Sequence, residues 1–577
     1  MKPLSAYLPH NRFDADQSRT SHSSDLTDRE KQHGYNDSPI PFVTWRSLVL
    51  GAFVSIGGII FGYDTGQISG FLEMENFQRR FGQLQDDGSY TFSNVRSGLI
   101  VSMLSIGTLL GALMAGPLAD RIGRKWSISF WCIILHVGLI IQISSPHPKW
   151  YQFMMGRFVT GFGVGACSLL VPLYQGETSP RQIRGAMVCS YQLFVTLGIF
   201  VAYCINFGTE SMSSSASWRI TLGITFLWGL ILGIGIIFFP ESPRYDYRHG
   251  RIDKAKDTMA KLYGVPQTHR VIVQELAEIK DQLEAESAAK RGFQGFIEMF
   301  QGPRMRYRII LGVTLQALQQ LTGANYFFYY GTVIFRGAGI SNSFVTQMIL
   351  GGVNFGTTFG GLYIVEHFGR RKSLITGGIW MFCCFMVFAS IGHFSLDIEN
   401  PPATPGAGKA MVVFACLFIT GFATTWGPMI WALIAELYPS RYRAKSMALA
   451  TASNWLWNFL LGFFTPFITS AIDFAYGYVF AGCLFVAVLV VYFFVLEGKG
   501  KTLEEVDMMY VMRVPPWESS KWVPPPPEER VTTANVLDQR AARNIADEEE
   551  QGKRGQYGPG HQHIDQDGAG PSESGTV

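Results

Sequence analysis

Charge is scarce in this chain: Asp, Glu, Lys and Arg make up 16% of its 577 residues, while 48% are hydrophobic and mean hydropathy is positive. That balance excludes an ordinary soluble domain and makes a membrane protein the first expectation. The net charge of +3 is too small to point to nucleic acid, so no nucleic-acid partner is expected. Cysteine is sparse too. All eight (Cys132, Cys167, Cys189, Cys204, Cys383, Cys384, Cys416 and Cys483) fall in apolar runs, which favours neither a disulfide framework nor a metal site. The first forty residues contain no apolar core, so no cleavable signal peptide is read there. The one glycosylation sequon, Asn36-Asp37-Ser38, lies in that tail, where it is expected to stay unused.

What the chain does have is long apolar runs. Stretches near 45–65, 97–117, 127–145, 152–175, 186–206, 218–239, 309–333, 344–365, 373–394, 411–435, 446–470 and 474–496 each approach the roughly 20 residues a membrane helix needs. The expected fold is therefore an all-α membrane protein with twelve transmembrane helices. Residues 1–40 read as a disordered cytoplasmic tail, 41–240 as a first six-helix bundle, 241–306 as a cytoplasmic helical linker, 307–497 as a second bundle and 498–577 as a mostly disordered cytoplasmic tail. In the linker, Ile252, Ala255, Met259 and Leu262, then Leu276, Ile279 and Leu283, recur at helical spacing and predict amphipathic helices. The basic turn GPLADRIGRK (Gly116 to Lys125) belongs inside by the positive-inside rule, which places both termini in the cytoplasm. Gly161, Gly163 and Gly165 resemble a nucleotide loop, but within a membrane helix they serve close packing.

The halves echo each other. Asp120 and Arg124 return as Glu366 and Arg370 at one offset, and Glu177 and Arg184 return as Glu436 and Arg443 at another. Two six-helix bundles related as pseudo-symmetric parallel repeats follow, with a substrate site expected between them. With Arg121 and Arg371, these charges all sit at cytoplasmic helix ends. They suggest a charge latch that holds the bundles together in one state and opens in another.

Polar residues at membrane depth mark the path. QALQQLTGANYFFYYGTVIF, Gln316 to Phe335, places Gln316, Gln319, Gln320, Thr322, Asn325, Tyr329 and Tyr330 in an apolar span. Such groups are costly unless they face protein or a water-filled cavity. Amides beside aromatic faces suit a neutral polyhydroxylated solute such as a sugar. No catalytic constellation is present: Gly406-Ala407-Gly408-Lys409 lacks both the leading Gly and the Ser/Thr of a phosphate loop, so neither enzyme activity nor a cofactor is expected.

GYDTG, GPLADRIGRK, GRFVTG, PESPR, QQLTGANYFFYY, HFGRRK, WALIAE and NWLWNF fall in the order and spacing of the sugar porter family of the major facilitator superfamily. The chain resembles that family over roughly residues 45–510, and its span 7 and its tail PPWESSKWVPPPPEER are most similar to fungal hexose transporters. The resemblance implies sugar binding by Gln192, Gln319, Gln320, Asn325, Asn354, Trp431 and Asn458, with Trp455 lining the inner path and Tyr329 and Tyr330 forming an outer gate. It matches Asp64 and Arg157 to the carboxylate and its partner in proton-coupled relatives, which leaves facilitated diffusion and proton symport both open. It also implies a plasma-membrane protein that acts as a monomer. The family's PETKG ending reads LEGKG here, which puts its usual cytoplasmic contact in question. A transporter-like sugar sensor, or a carrier of quinate, pentose, polyol or disaccharide, remains an alternative.

Overall fold

Apolar runs of 20 to 30 residues, punctuated by Gly-Arg, Ser-Pro and Pro-rich turns, fold as long antiparallel helices because a helix satisfies every backbone polar group internally. A computed structural model describes residues 44–539 apart from 87, 289–291, 398–399, 440, 527–530, 534–535 and 538. The expected N-terminal tail, the sequon and everything beyond 539 lie outside the described residues.

The first half contains α1 (Trp45–Val54), α2 (Ile56–Phe71), α3 (Glu75–Phe81), α4 (Asn94–Ile122), α5 (Arg124–Ile143), α6 (Trp150–Thr178), α7 (Arg181–Thr209) and α8 (Ala216–Gly235). The linker follows as α9 (Pro243–Arg248), α10 (Ile252–Tyr263), α11 (Arg270–Ala288) and α12 (Gly292–Gln301). The second half holds α13 (Met305–Leu321), α14 (Ala324–Gly337), α15 (Ser343–His367), α16 (Arg370–Ser390), α17 (Pro405–Gly421), α18 (Gly427–Leu437), α19 (Arg443–Ile472) and α20 (Tyr476–Phe494), and α21 (Leu503–Val511) lies in the tail.

Among the described residues nine helical runs are long and apolar enough to cross a membrane, and one of these, Arg443–Phe494, contains two spans separated at Asp473. Met305–Gly337 and Ser343–His367 complete the twelve expected spans. The connections alternate between the linker side, which carries α9 to α12 and α21, and a far side, which carries α3 and a two-residue hairpin pairing Gln83 with Thr91.

Glycine sets the closest approaches. A Cβ at Gly165 would lie 2.0 Å from Thr108 O, and one at Gly107 2.1 Å from Phe158 O, so α4 and α6 touch backbone to backbone. The glycines of α6 thus serve packing, as their membrane setting suggests. In α10, Ala255, Met259 and Leu262 are buried but Ile252 is exposed; in α11, Leu276 is buried.

Part of the tail is ordered within the described residues. Residues 503–511 form a helix started by a capping box in which Thr502 and Glu505 exchange side-chain-to-backbone hydrogen bonds. Met508, Met509 and Tyr510 are buried, and Asp507 takes hydrogen bonds from Arg308 Nη1 at 2.6 Å and Thr533 N at 2.6 Å. The described part of the tail is folded onto the body rather than disordered.

Candidate functional site

Span 7 is not one helix. Gly323, at φ 89°, breaks it into α13 and α14 in a left-handed conformation that glycine adopts without strain. Span 10 is similarly interrupted by a π-helical turn over Phe422–Trp426, followed by Pro428. The two irregularities meet: Gln319 Nε2 donates to the carbonyls of Trp426 and Gly427, each at 3.0 Å. Gln319 is therefore committed to backbone in this conformation.

Around this break lies an amide network. Asn454 donates from Nδ2 to Gln316 Oε1 at 2.7 Å and to Gln319 Oε1 at 2.8 Å, and its own carbonyl accepts from Gln320 Nε2 at 2.9 Å. Asn325 Nδ2 donates to Gln320 Oε1 at 2.5 Å. Asn458 is the node that reaches the other half: its Oδ1 accepts from Ser105 Oγ of α4 at 2.6 Å and from Tyr329 OH at 2.9 Å, while its Nδ2 donates to Gln320 at 3.4 Å. Asn454 and Ser105 were not singled out from sequence. The NWLWNF motif that contains Asn454 was the available signal.

The other expected ligands stand apart from this network. Gln192 is half-buried, Asn354 is buried and Trp431 is 37% exposed. None of their side-chain polar groups hydrogen-bonds to a described residue. Trp455 is buried with its indole N–H unpartnered, and its ring meets Phe61 of the first half edge to face at 5.5 Å.

Asp64 and Arg157 are wholly buried within the first half. Their nearest atoms, Oδ2 and Nη2, are 3.5 Å apart. Gln67 Nε2 donates to the other Asp64 oxygen at 2.7 Å, a contact absent from the sequence reading.

The far side is closed by bonds between the halves. Ser69 Oγ and Thr332 Oγ1 are 3.0 Å apart, Gln347 Nε2 donates to Ser69 Oγ at 3.0 Å, and Tyr203 OH donates to Phe328 O at 3.2 Å. Arg336 pairs with Glu73 at 2.5 Å and Asn342 donates to Glu210 at 3.2 Å. Tyr330 OH donates to Gly462 O at 2.6 Å, fixing α14 to α19 at this level.

On the linker side the repeated charges pair within each half. Arg124 grips Glu177 through Nε at 2.9 Å and Nη2 at 3.1 Å, and meets Asp120 at 3.1 Å; Asp120 also meets Arg248 at 2.8 Å. Arg370 bonds Glu436 at 2.8 Å. Arg184 reaches Glu275 of α11 at 3.4 Å, and Arg443 Nε donates to Tyr438 O at 3.2 Å. Arg371 Nη2 donates to Tyr492 O at 2.8 Å, whereas the Arg121 side chain has no partner among the described residues. The Glu366 side chain lies outside them. Of the acids expected to form a bundle-to-bundle latch, Asp120, Glu177 and Glu436 each sit in this conformation beside a base of their own half, with Asp120 also meeting Arg248 of the linker.

Two further carboxylates complete the repeat. Glu241 Oε1 accepts the backbone N–H of Arg124 at 2.8 Å and of Lys125 at 3.3 Å, and Glu497 accepts those of Arg370 at 2.9 Å and Arg371 at 3.1 Å. Each carboxylate caps the positive end of a helix, α5 or α16. Burial pushes the Glu241 carboxyl above its ordinary value, opposed by these N–H donors and by Arg124. In the altered LEGKG ending, Glu497 is thus the residue that meets the start of α16.

The family model described as sugar (and other) transporter matches residues 50–510. A low-affinity glucose transporter of Kluyveromyces lactis is 47% identical over 513 residues, 88% of this chain and 90% of that protein. A high-affinity fructose transporter of Schizosaccharomyces pombe is 44% identical, covering 82% of this chain and 89% of its own length. Among solved structures, the proton:xylose symporter XylE bound to 6-bromo-6-deoxy-D-glucose superposes with a TM-score of 0.66 at 25% identity, over 80% of this chain and 99% of that one. A partially occluded inward-open conformation of the E. coli xylose transporter XylE gives a TM-score of 0.65 at 24% identity, over 80% and 100%.

Proposed function

The chain belongs to the sugar (and other) transporter family, and on that premise we propose that it carries a monosaccharide, glucose or a related hexose, across a membrane by alternating access. The observation that carries this reading is the Asn458 node. One amide accepts hydroxyl protons from Ser105 in the first half and Tyr329 in the second, while its own N–H donates onward to Gln320. A sugar hydroxyl both donates and accepts, so it can insert between Asn458 and either protein hydroxyl, accepting from the hydroxyl and donating to the amide oxygen, and leave no buried group unpaired. Gln192, Asn354 and the Trp431 indole, unpartnered among the described residues, are the further groups proposed to take hydroxyls and the ring face. Gln319 acts through Asn454 in this conformation.

The linker side is proposed to be cytoplasmic and the protein to work as a monomer in the plasma membrane, with no catalysis. Closure of the far side by Glu73–Arg336 and Ser69–Thr332–Gln347 supports an inward-facing state, and the Arg124–Glu177 and Arg370–Glu436 pairs are proposed to exchange partners when the linker side closes.

A second reading, proton coupling, rests on one observation. Asp64 Oδ2 and all three Arg157 side-chain nitrogens lack hydrogen bonds, although both residues are fully buried. A pair held this loosely can open when the carboxylate takes a proton.

The test is radiolabelled glucose uptake in a transport-deficient cell, with and without a protonophore, for the intact protein and Asp64→Asn. Uptake that collapses in both cases, while sugar exchange survives, establishes symport. Uptake indifferent to both makes the protein a facilitator. No uptake despite surface expression rejects hexose transport and turns attention to a sensor or to another solute.

A further inference from the structure

A cavity of about 260 Å³ opens where α13 begins, α20 ends and the tail passes, lined by Arg304, Tyr307, Leu496, Tyr510, Arg513 and Trp517 among others. It lies on the linker side, away from the amide network. Tyr307 OH donates to Phe494 O, the last residue of α20, at 2.9 Å, which puts the cavity at the end of an apolar span. Tyr492, Phe493 and Phe494 are exposed on one flank, Met512 and Trp517 on the other. Aromatic and apolar side chains exposed at a helix end are what a membrane interface favours.

Both arginines of this cavity hold a conformation that side chains avoid. Among the described residues only three other than glycine have positive φ, and two of them are Arg304 (55°) and Arg513 (60°). Arg304 occupies the position of the Gly302–Met305 turn, closed by Met305 N to Gly302 O at 3.1 Å, that normally takes glycine. Arg513 follows the last turn of α21, where Val514 N reaches Met509 O at 3.0 Å, again a place for glycine. Strained backbone kept at two sites that share one cavity points to a use for the side chains. Neither guanidinium has a carboxylate or a hydrogen-bond partner among the described residues. Arg304 lies 5.4 Å from the Tyr307 ring centre.

We infer that this cavity binds the phosphate of an anionic phospholipid headgroup from the adjoining leaflet. Two forked cations match phosphate oxygens, the Tyr and Trp faces border the headgroup, and Tyr492 to Phe494 lie beside its acyl chains. Fixed to α13, α20 and the tail together, the headgroup ties the start of the second half to the folded part of the tail.

The test uses the full-length protein in phosphatidylcholine nanodiscs doped with a phosphatidylinositol phosphate, with retained lipid read by native mass spectrometry. Arg304→Gly and Arg513→Gly remove the charge and relax the backbone, so loss of folding does not confuse the result. Each is expected to weaken lipid retention about fivefold, the worth of one basic residue near an anionic surface, with thermal stability in pure phosphatidylcholine unchanged or raised. Equal retention by the double variant and the intact protein overturns the site. Inorganic phosphate or soluble inositol phosphate binding as tightly as the lipid overturns the lipid assignment and leaves a soluble phosphate ligand.

Discussion

Asp64 and Arg157 face each other 3.5 Å apart with no water-accessible surface and no hydrogen bond between them. Charge attraction without good hydrogen-bond geometry leaves most of the desolvation cost of both groups standing. The pair is therefore held by its surroundings, above all by Gln67 on the free oxygen of Asp64.

Asp64→Asn leaves Arg157 buried without a counter-charge, which costs about 3–5 kcal/mol. Asp64→Asn combined with Arg157→Gln removes both charges and regains much of that loss. Thermal unfolding in detergent checks the ordering, and a double variant no more stable than the single one would deny that the two charges are coupled.

Asn458→Ala removes the acceptor of Ser105 and Tyr329 together. The variant is expected to insert normally and to bind glucose about tenfold to a hundredfold more weakly, as loss of one or two buried hydrogen bonds of about 1–3 kcal/mol implies. Equilibrium binding in detergent reads this directly; unchanged affinity would take Asn458 out of the sugar site.

The amide run of span 7 and the repeated charges were legible because each motif is contiguous and its residue types are costly in a membrane. Their partners were not legible. Gln319 turns to the Trp426 and Gly427 carbonyls only because two helix interruptions, a hundred residues apart in sequence, meet in space. Glu241 and Glu497 were in plain view in PESPR and LEGKG, yet their capping of α5 and α16 depends on how the chain returns to those helix starts. The tail helix was concealed by composition. Its Pro-rich surroundings favoured disorder, although Thr502 and Glu505 already spelled a capping box.

Arg124→Ala strips Glu177, whose side chain is only 6% exposed, of its bidentate partner. The expected loss is about 3–5 kcal/mol of stability, together with slower transport and intact membrane insertion. Glu241→Gln keeps an acceptor oxygen for the α5 backbone, so its cost is expected to be smaller, about 1–2 kcal/mol. Comparing unfolding temperatures and uptake rates for both tests whether ion pair or helix cap matters more. Equal effects would argue that the two act as one unit.

Glu73 and Arg336 carry the last prediction, since they join the halves on the closed far side while the Glu73 carboxylate is largely buried and Arg336 is 66% exposed. Burial pushes the Glu73 carboxyl above its ordinary value, and Arg336 opposes that only in part. Opening the far side re-exposes Glu73 and returns it towards that ordinary value. The closed state therefore holds the proton more tightly than the open one. Its extra stability is fully present below the ordinary glutamate range and is lost as pH rises through the raised value. Acidifying the far side should favour closure, read as slower labelling of a cysteine placed at Ser69 by a membrane-impermeant maleimide at matched thiolate fraction. Glu73→Gln should abolish that pH dependence while leaving the far side able to close. Labelling that slows with acid equally in Glu73→Gln would assign the effect to another group.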